Sequence, residues 1–466
     1  MRCMRIVVQL LVLAAGLAGA RAQANNPSLE RAVLAAEALG ARTGVAVCDD
    51  DGGVLYLHRA TEAFAPASNM KVLTAAAVLR GLGADYEFAT RFELRAGRLI
   101  VAASGDPNWI HDTPHAPERV FGLVAAKLER LGVTALTGID LQPGTFLGPA
   151  RPATWPQDQL YTYYCAPTGP FVLEQGTLVV GIDAERGANA ANVRLVAPSC
   201  DLPVHGTIDI VERSKGAVYG ATDAGLAVQV RGHFYRKSPP VTIRSAMQDP
   251  AVWYLASLRH ALTQAGIATA AAASDAKDGL VYEHRSRLRD AVLRMLEDSS
   301  NFDAEQCLRV LGDHAKHDGS LAGGLAALQQ QLLAAHGRLP EGLVLTDGSG
   351  LSKENRLTPG LLAAELFSSR KGPGGAVLRE CLPVAGKSGT LEDRFTRTDL
   401  VGRVHAKTGW IRGASALSGL VERKDGTVRW FSILMNYDPK VNGLNKDLKA
   451  LQEQMVQAID AMDAAR

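Results

Sequence analysis

The chain has 466 residues, of which 47% are hydrophobic and 21% charged, and its formal net charge is +2. This length predicts two or three domains, and the composition is ordinary for a globular protein. A net charge so close to zero gives no electrostatic argument for binding nucleic acid or an anionic membrane, and we expect neither partner.

The N-terminus has the features of a secretory signal peptide. Arg2 and Arg5 precede a mostly apolar run over residues 7–17, which is shorter than the roughly 20 residues that a membrane-spanning helix needs. Small residues follow and end in an A-x-A cleavage site at residues 20–22. We therefore expect an exported protein, periplasmic or extracellular, whose mature chain has no membrane span. Loss of residues 1–22 removes three arginines and changes the formal net charge from +2 to −1.

Five cysteines remain beyond residue 22, and none of them forms a C-x-x-C pair. We therefore expect no zinc or redox motif, no metal and no other cofactor. Because export permits disulfides, we predict one bond, between Cys165 and Cys200. The odd number of cysteines leaves at least one thiol unpaired within the chain.

The first part of the chain predicts a mixed α/β domain. Residues 29–39 have apolar positions at helical spacing and end before a glycine. Residues 43–48 and 54–58 are apolar runs on either side of an Asp-Asp-Gly-Gly turn, which is typical of a β-hairpin. A mostly apolar helical stretch then follows Ser68 and reaches Leu82. A helix that is apolar on nearly every side belongs in the middle of a domain.

The middle of the chain has a different sequence pattern from both ends. Short β-rich runs separated by Gly, Pro and Asn dominate residues 89–249. Helical patterns return afterwards, at residues 252–265, 288–297, 303–311 and 321–335. The chain ends in two strands around an Asp-Gly turn and a final helix. We therefore predict one α/β domain, residues 23–88 and 250–466, that is split by a β-rich insertion of one or more domains, residues 89–249.

Ser68-Asn69-Met70-Lys71 opens the apolar helix with a candidate nucleophile and its base. A serine hydroxyl needs a base at neutral pH, and residues i and i+3 lie on one face of a helix, so the Lys71 amine can reach the Ser68 oxygen. Burial near another cation would lower the pKa of that amine until it can take the proton. The helix N-terminus also offers backbone N–H groups to an oxyanion. The S-x-x-K spacing alone is weak evidence, since Ser68 can also simply be an N-cap.

Two further motifs follow along the chain. Ser299-Ser300-Asn301 lies between two helical segments, where it can present a hydroxyl and an amide to a cleft or can simply cap a helix. Lys407-Thr408-Gly409 lies on a predicted strand, whose edge can pair with an extended peptide. Lys407 and Thr408 would face the substrate carboxylate there, and Gly409 would let the two backbones approach closely.

The order S-x-x-K, S-x-N, K-T-G is far more specific than its parts, and it resembles the motif set of penicillin-binding proteins and serine β-lactamases. Flanking stretches narrow the resemblance: residues 104–107 (Ser-Gly-Asp-Pro), 347–359 and 382–391. Over nearly its whole mature length the chain resembles the class C low-molecular-mass penicillin-binding proteins, the D-alanyl-D-alanine carboxypeptidase/endopeptidase family. That resemblance implies a β-lactamase/transpeptidase-like domain, an antiparallel sheet flanked by helices, with the large insertion that marks the family.

The resemblance also implies a role for each motif residue. Ser68 would be acylated by the D-Ala-D-Ala end of a peptidoglycan stem peptide, or covalently by a β-lactam such as penicillin, with Lys71 as general base. Ser299 would relay a proton to the leaving amine, and Asn301 would bind the substrate amide. The Lys407-Thr408 pair would hold the terminal carboxylate, and water would hydrolyse the acyl-enzyme.

Other implied roles come with departures from the family pattern. The backbone N–H groups of Ser68 and Trp410 would form the oxyanion hole, but Trp410 stands where Thr or Ser is usual, so one hydroxyl contact to the substrate carboxylate is lost. Ser300 replaces the usual Asp. Asp140 and Lys353 match positions near which some members bind the side-chain end of the stem peptide's diamino acid, although Arg is common in place of Lys353, and Lys weakens a bidentate contact.

Two other functions stay open. A serine β-lactamase would need fast deacylation, and the sequence has no clear additional base for it. The intact motifs argue against a catalytically weak peptidoglycan-binding protein of the same fold, while Trp410 argues slightly for it. Carboxypeptidase and endopeptidase activities share one acyl chemistry, so both are retained. Ser349 is predicted to be a turn residue rather than a nucleophile, and His111 and His115 are predicted to be loop histidines, because Pro114 argues against a helix that presents both to a metal.

Overall fold

The computed structural model describes residues 26–225, 227–270, 277–372 and 374–463, so the predicted signal peptide lies outside the described residues. Within these ranges, no helix combines the length and the apolar character needed to cross a bilayer.

The helices and strands are, in chain order, α1 (Pro27–Ala38), β1 (Arg42–Cys48), β2 (Val54–His58), α2 (Met70–Leu82), β3 (Glu87–Arg95), β4 (Arg98–Ala102), α3 (Pro117–Arg130), β5 (Gly138–Gln142), β6 (Thr177–Asp183), β7 (Asn192–Ala197), β8 (Val204–Val211), β9 (Tyr219–Asp223), β10 (Val228–Tyr235), β11 (Val241–Ala246), α4 (Pro250–Gln264), β12 (Gly279–Arg287), α5 (Leu288–Leu296), α6 (Asn301–Lys316), α7 (Leu321–His336), α8 (Pro359–Ser369), α9 (Gly375–Glu380), β13 (Val404–Ile411), β14 (Ala414–Glu422), β15 (Val428–Asn436) and α10 (Leu444–Asp460).

Several helices begin where local capping rules place them. Asn26, Asp249 and Thr358 each accept a hydrogen bond from a backbone N–H of the first turn, and each is followed by a proline at the first helical position. A side-chain oxygen at the cap satisfies a free N–H group, and proline there has the right φ and lacks only an N–H that would be unpaired anyway. The predicted helix over residues 29–39 is confirmed in this way as α1.

The main sheet is antiparallel and is assembled from both ends of the chain, in the order β13-β14-β15-β1-β2. One face packs on α1 and α10 through buried residues such as Leu29, Val33, Leu448 and Met455. The other face packs on α8, and α2 and α6 belong to the same buried cluster. The helix α2 is buried over nearly all of its length, which explains why its sequence is apolar on every side. This layered arrangement places the N-terminus of α2 beside the edge strand β13.

The middle of the chain forms three smaller sheets, β12-β3-β4-β5, β11-β6-β7 and β8-β10-β9. Most pairs are antiparallel, but β4 with β5 and β8 with β10 are parallel. The proposed division of the chain stays a prediction. Because β12 pairs with β3 along its length, we propose that the insertion returns to the first domain after residue 287 rather than at 250.

The predicted Cys165–Cys200 disulfide is wrong. All five cysteines among the described residues are free thiols. Cys165 is fully buried in the short turn Tyr163–Cys165, and Cys200 lies in the connection between β7 and β8, packed on the core of the small sheets. Export would permit a disulfide, but these two thiols belong to different packing environments.

Candidate active site

Ser68 lies in a single 3-10 turn, Ala67–Asn69, directly before α2. Its side chain is only partly buried, so the hydroxyl faces a cleft. Ala67 has a φ of +47°, a left-handed conformation that a residue with a Cβ rarely adopts. Gly350 packs against this turn so closely that a Cβ on it would lie 1.9 Å from the Ala67 carbonyl oxygen. The nucleophile candidate is thus held by strained backbone that a neighbouring loop supports.

Lys71 is the second residue of α2 and is fully buried, and its Nζ has three oxygen neighbours. These are Ser68 Oγ at 3.0 Å, Asn301 Oδ1 at 2.6 Å and the Ser349 carbonyl oxygen at 2.7 Å. Burial lowers the pKa of Lys71 to about 7, against the opposing effect of Asp347 and Glu305. A neutral amine has two N–H groups and one lone pair. It can donate to Asn301 and Ser349 while it accepts the Ser68 proton, so the geometry suits a general base.

The S-x-N motif forms the entry into α6. Asn301 is the first residue of α6. Its Nδ2 donates to the Tyr164 carbonyl at 2.9 Å, and its Oδ1 accepts a hydrogen bond from Lys71. Ser300 is the N-cap, since its hydroxyl accepts the Asp303 N–H at 3.2 Å. Ser299 has a φ of +60°, and within the described ranges no hydrogen bond joins its hydroxyl to Lys71. The structure therefore brings Asn301 onto the lysine, and among the described residues it gives the Ser299 hydroxyl no hydrogen bond to Lys71.

The loop over residues 347–355 carries the Ser349 carbonyl that binds Lys71. The buried Asp347 carboxylate accepts from the N–H groups of Gly350 and Ser352, both at 2.7 Å, and from Trp155 Nε1 at 3.0 Å. The loop's own N–H groups at positions 348 and 349 donate to the buried Glu305 carboxylate. Burial, together with Asp347, raises the pKa of Glu305 to about 8. These two carboxyl groups fix the carbonyl that binds Lys71.

Sequence reasoning missed the roles of Glu305, Tyr164 and Trp155. Glu305 lies one helical turn after Asn301 on α6, and that i, i+4 spacing is the one signal by which it could have been found. Ser349 was predicted to be a turn residue, and its carbonyl, not its hydroxyl, binds Lys71.

The K-T-G motif lies on β13, the edge strand of the main sheet. Its outer side is covered at first: the Ala385 N–H donates to the Val404 carbonyl at 2.9 Å, and the Ala406 N–H donates to the Pro383 carbonyl at 3.0 Å. Beyond Ala406 this cover ends. Because outward-pointing backbone groups alternate along a strand, those of Thr408 and Trp410 point to the open edge, where an extended peptide can pair.

Gly409 lies where β13 touches the Ser68 turn. A Cβ on Gly409 would come within 2.9 Å of both Asn69 Nδ2 and the Pro66 carbonyl oxygen. Asn69 Nδ2 also donates to the Lys407 carbonyl at 3.0 Å. Gly409 therefore allows β13 to approach the Ser68 turn of the protein itself, and the expected approach of a substrate backbone stays a prediction.

Lys407 is fully buried, and its Nζ donates to the Thr408 carbonyl at 3.1 Å. Burial, followed by the positive charge of Lys71, holds the pKa of Lys407 well below its usual range. The Thr408 hydroxyl pairs with that of Thr390 at 2.8 Å. Trp410 lies two residues after Thr408 and is therefore on the same face of the strand. It exposes 58% of its surface. The motif thus presents a hydroxyl and a large exposed indole side by side.

The two remaining predicted residues lie apart from this cluster. Asp140, on β5, forms an ion pair with Arg98 on β4. Lys353 is exposed in the loop after Ser352, and its carbonyl accepts a bond from Arg356 at 2.7 Å. No contact among the described residues joins either one to Ser68, so their assignment stays a prediction.

Comparisons with known proteins found a matching family model and similar sequences. A family model described as the D-Ala-D-Ala carboxypeptidase 3 (S13) family matches residues 26–462. The chain is similar to a D-alanyl-D-alanine carboxypeptidase of Actinomadura sp. strain R39, with 29% identity over 88% of this chain and 79% of that one. It is similar to the D-alanyl-D-alanine carboxypeptidase DacB of Haemophilus influenzae, with 25% identity over 77% of this chain and 78% of that one.

Among solved structures, the chain is similar to penicillin-binding protein 4 of Haemophilus influenzae. The TM-score is 0.76, with 20% identity over 93% of this chain and 99% of that one. A second structure of that protein, in complex with a β-lactam, has a TM-score of 0.71. At this identity the likeness concerns the fold, and it confirms the predicted class, an antiparallel sheet flanked by helices.

Proposed function

Because this chain belongs to the D-Ala-D-Ala carboxypeptidase 3 (S13) family, we propose that Ser68 is the nucleophile with which it acts on peptidoglycan stem peptides. Family membership and the named relatives confirm the predicted enzyme class, a serine-type D-alanyl-D-alanine carboxypeptidase. The observation that carries the residue assignment is the 3.0 Å contact between Lys71 Nζ and Ser68 Oγ, made by a buried amine whose pKa burial lowers to about 7.

In the proposed acylation, the Ser68 oxygen attacks the carbonyl carbon of the penultimate D-Ala while its proton passes to Lys71 Nζ. The bond from that carbon to the nitrogen of the terminal D-Ala then breaks, and Ser299 relays the proton from Lys71 Nζ to the leaving amine. The backbone N–H groups of Ser68 and Trp410 stabilise the oxyanion. Water hydrolyses the resulting ester, which releases the trimmed peptide and restores the Ser68 hydroxyl.

The substrate is held along the open edge of β13. Asn301 binds the substrate amide, and Lys407 with Thr408 holds the terminal carboxylate, with Gly409 as the small residue between them and the Ser68 turn. Trp410 adds no hydroxyl, so the carboxylate has one ligand fewer than the family pattern supplies. Endopeptidase cleavage of cross-links uses the same acyl step and is proposed as a second activity of this site.

A carboxypeptidase with β-lactams as covalent inhibitors is favoured over a β-lactamase. A β-lactamase needs a base that activates the deacylating water. Glu305 and Asp347 are the two carboxyl groups whose charges act on the pKa of Lys71. Both are buried, and both already accept hydrogen bonds from backbone N–H groups of residues 348–352. They are engaged in holding the loop, and the acyl group on Ser68 should therefore leave slowly.

Labelling with a fluorescent penicillin tests the nucleophile. We expect one label per wild-type chain, none on Ser68→Ala, and wild-type labelling of Ser214→Ala, an exposed serine far along the chain that serves as control. A wild-type protein that is never labelled would refute the enzyme hypothesis and favour a peptidoglycan-binding role. Sustained penicillin hydrolysis instead of a stalled acyl-enzyme would establish the β-lactamase.

Purified muropeptides separate the two peptidase activities. Release of free D-Ala from pentapeptides reports carboxypeptidase activity, and loss of cross-linked dimers reports endopeptidase activity. We expect D-Ala release that disappears in Ser68→Ala.

We also propose that residues 1–22 are a cleaved signal peptide and that the mature enzyme is exported. N-terminal sequencing of the protein recovered outside the cytoplasm tests this, and an intact Met1 would contradict it.

A further inference from the structure

Gln175, just before β6, contacts the S-x-N turn from a distant part of the sequence. Its Nε2 donates to the Ser300 hydroxyl at 3.1 Å and to Asp303 Oδ2 at 2.5 Å. Ser300 and Asp303 are the cap and a first-turn residue of α6, joined to each other by the capping bond. One side-chain amide therefore holds the start of the helix whose first residue is Asn301, two residues after Ser299.

The backbone that presents Gln175 is in an unusual conformation. Glu174 and Gln175 have φ angles of +53° and +55°. Each such residue costs on the order of 1 kcal/mol when it carries a Cβ, so two in succession need support from their surroundings. The fully buried Glu174 carboxylate supplies it, since it accepts the His111 N–H at 2.7 Å and lies 2.5 Å from His111 Nδ1. The segment is thus fixed in the conformation that directs Gln175 at α6.

Besides Gln175, the turn is supported by Asn301, which binds Lys71 and Tyr164, and by Arg294. Ser299 has a left-handed φ of +60°. Its neighbour Ser300 donates its backbone N–H to the Arg294 carbonyl at 3.1 Å, and the Arg294 guanidinium binds Asp303 Oδ1 at 2.7 Å. Gln175 binds the same carboxylate through its other oxygen. The position of the Ser299 hydroxyl therefore depends on a clamp with Arg294 on one side and Gln175 on the other.

We propose that Gln175 is a positioning residue for acylation, which acts through Ser299. The proposal rests on the proposed function, in which Ser299 relays the proton to the leaving amine. Without the Gln175 amide the cap between Ser300 and Asp303 loses one of its links to the inserted region, and the left-handed Ser299 can relax. The contact of Asn301 with Tyr164 remains. A displacement of about 1 Å in a reacting group can cost about 100-fold in rate.

The first test compares Gln175→Ala with Gln229→Ala, a control that removes an exposed glutamine from β10. Stopped-flow labelling with fluorescent penicillin separates the dissociation constant of the initial complex from the acylation rate constant. We expect Gln175→Ala to lower the acylation rate constant about 10- to 100-fold and to change the dissociation constant less than about threefold. Gln229→Ala should match the wild type. An acylation rate of Gln175→Ala within about twofold of the wild type would overturn the proposal.

The second test asks whether Gln175 acts through Ser299. If it does, Gln175→Ala in a Ser299→Ala background should cost less than about twofold, because the group that it positions is already gone. A merely structural loss would multiply with that of Ser299→Ala, and that result would overturn the proposal. If Gln175→Ala does not fold, Gln175→Glu takes its place in both tests, since it keeps the size but turns a carboxylate toward Asp303.

The two hypotheses fail differently. A wild-type protein that penicillin never labels would overturn the proposed function and this inference with it. A labelled wild type with an equally fast Gln175→Ala variant would overturn this inference alone.

Discussion

Replacement of Lys71 by methionine should change how stability depends on pH. In the folded protein burial lowers the pKa of Lys71 from 10.5 to about 7. Between pH 7 and 10.5 the unfolded chain therefore binds more protons at this residue than the folded one, so the wild type gains stability as the pH rises through that window. Below pH 7 the full cost of burying a protonatable amine is present, and above 10.5 it is gone. Lys71→Met has no such group, so its stability should lack this rise.

The size follows from the shift. A lowering from 10.5 to about 7 costs the wild type roughly 4 kcal/mol at pH 7 and roughly 2 kcal/mol at pH 9. The free energy of unfolding of the wild type minus that of Lys71→Met should therefore increase by about 2 kcal/mol between these pH values. Loss of the bonds to Asn301 and Ser349 destabilises the variant at both pH values alike. Lys407 adds in the same direction, because the Lys71 charge helps to lower the pKa of Lys407.

Guanidinium unfolding of both proteins at pH 7 and pH 9 measures this difference. Lys446→Met, which removes an exposed lysine from α10, is the control. A difference that changes by less than about 0.5 kcal/mol, or that falls with pH, would refute the view that Lys71 is neutral in the folded enzyme near pH 7. The same view predicts that wild-type acylation by penicillin rises with pH and is half-maximal near 7, while Lys71→Met stays unlabelled.

Three further predictions follow from single sites. Gly350→Ala would place a Cβ 1.9 Å from the Ala67 carbonyl at a φ of +81°, so we expect a loss of at least about 2 kcal/mol in stability and of Ser68 labelling; labelling at the wild-type rate would contradict this. Trp410→Thr restores a hydroxyl beside Thr408 and should raise kcat/KM for D-Ala release about fivefold; no gain would exclude a missing hydroxyl contact. Burial alone would raise the pKa of Glu365, but the hydrogen bond with His336 helps to lower it to about 2. The stabilisation from Glu365 should therefore be lost as the pH falls from 4.5 toward 2, and acid titration of Glu365→Gln should lack that loss.

Much of the site could be predicted where its chemistry is local in sequence. Ser68 and Lys71 are three residues apart at the start of a helix, so helical geometry alone places one near the other. The apolar character of α2 likewise predicted that the lysine would be buried, and burial is the main cause of its lowered pKa. The contact of Lys71 with Asn301 spans 230 residues. That the two residues share one site was predicted only through the resemblance of the combined motifs to a known family, and the contact itself was not predicted.

The parts that could not be predicted depend on tertiary packing. Neither Glu305 nor Asp347 has a local pattern that reveals which N–H groups it accepts, yet these bonds fix the Ser349 carbonyl against Lys71. The prediction of a disulfide between Cys165 and Cys200 was wrong for the same reason, since an oxidising compartment does not by itself bring two thiols together. The free edge of β13 was predicted from the motif. The point at which this edge becomes free depends on residues 383–385, which pair with the first part of the strand.

The departure at Ser300 shows why one residue type cannot be interpreted without its partners. The loss of a carboxylate from the middle of the S-x-N motif suggests a weakened turn when only the motif is considered. In the folded protein, the Ser300 hydroxyl still caps α6, and the Gln175 amide binds both this hydroxyl and the Asp303 carboxylate. A hydroxyl accepts an amide N–H without adding a second negative charge beside Asp303. The substitution is therefore compatible with a well-held turn, on the condition that Gln175 keeps its strained backbone.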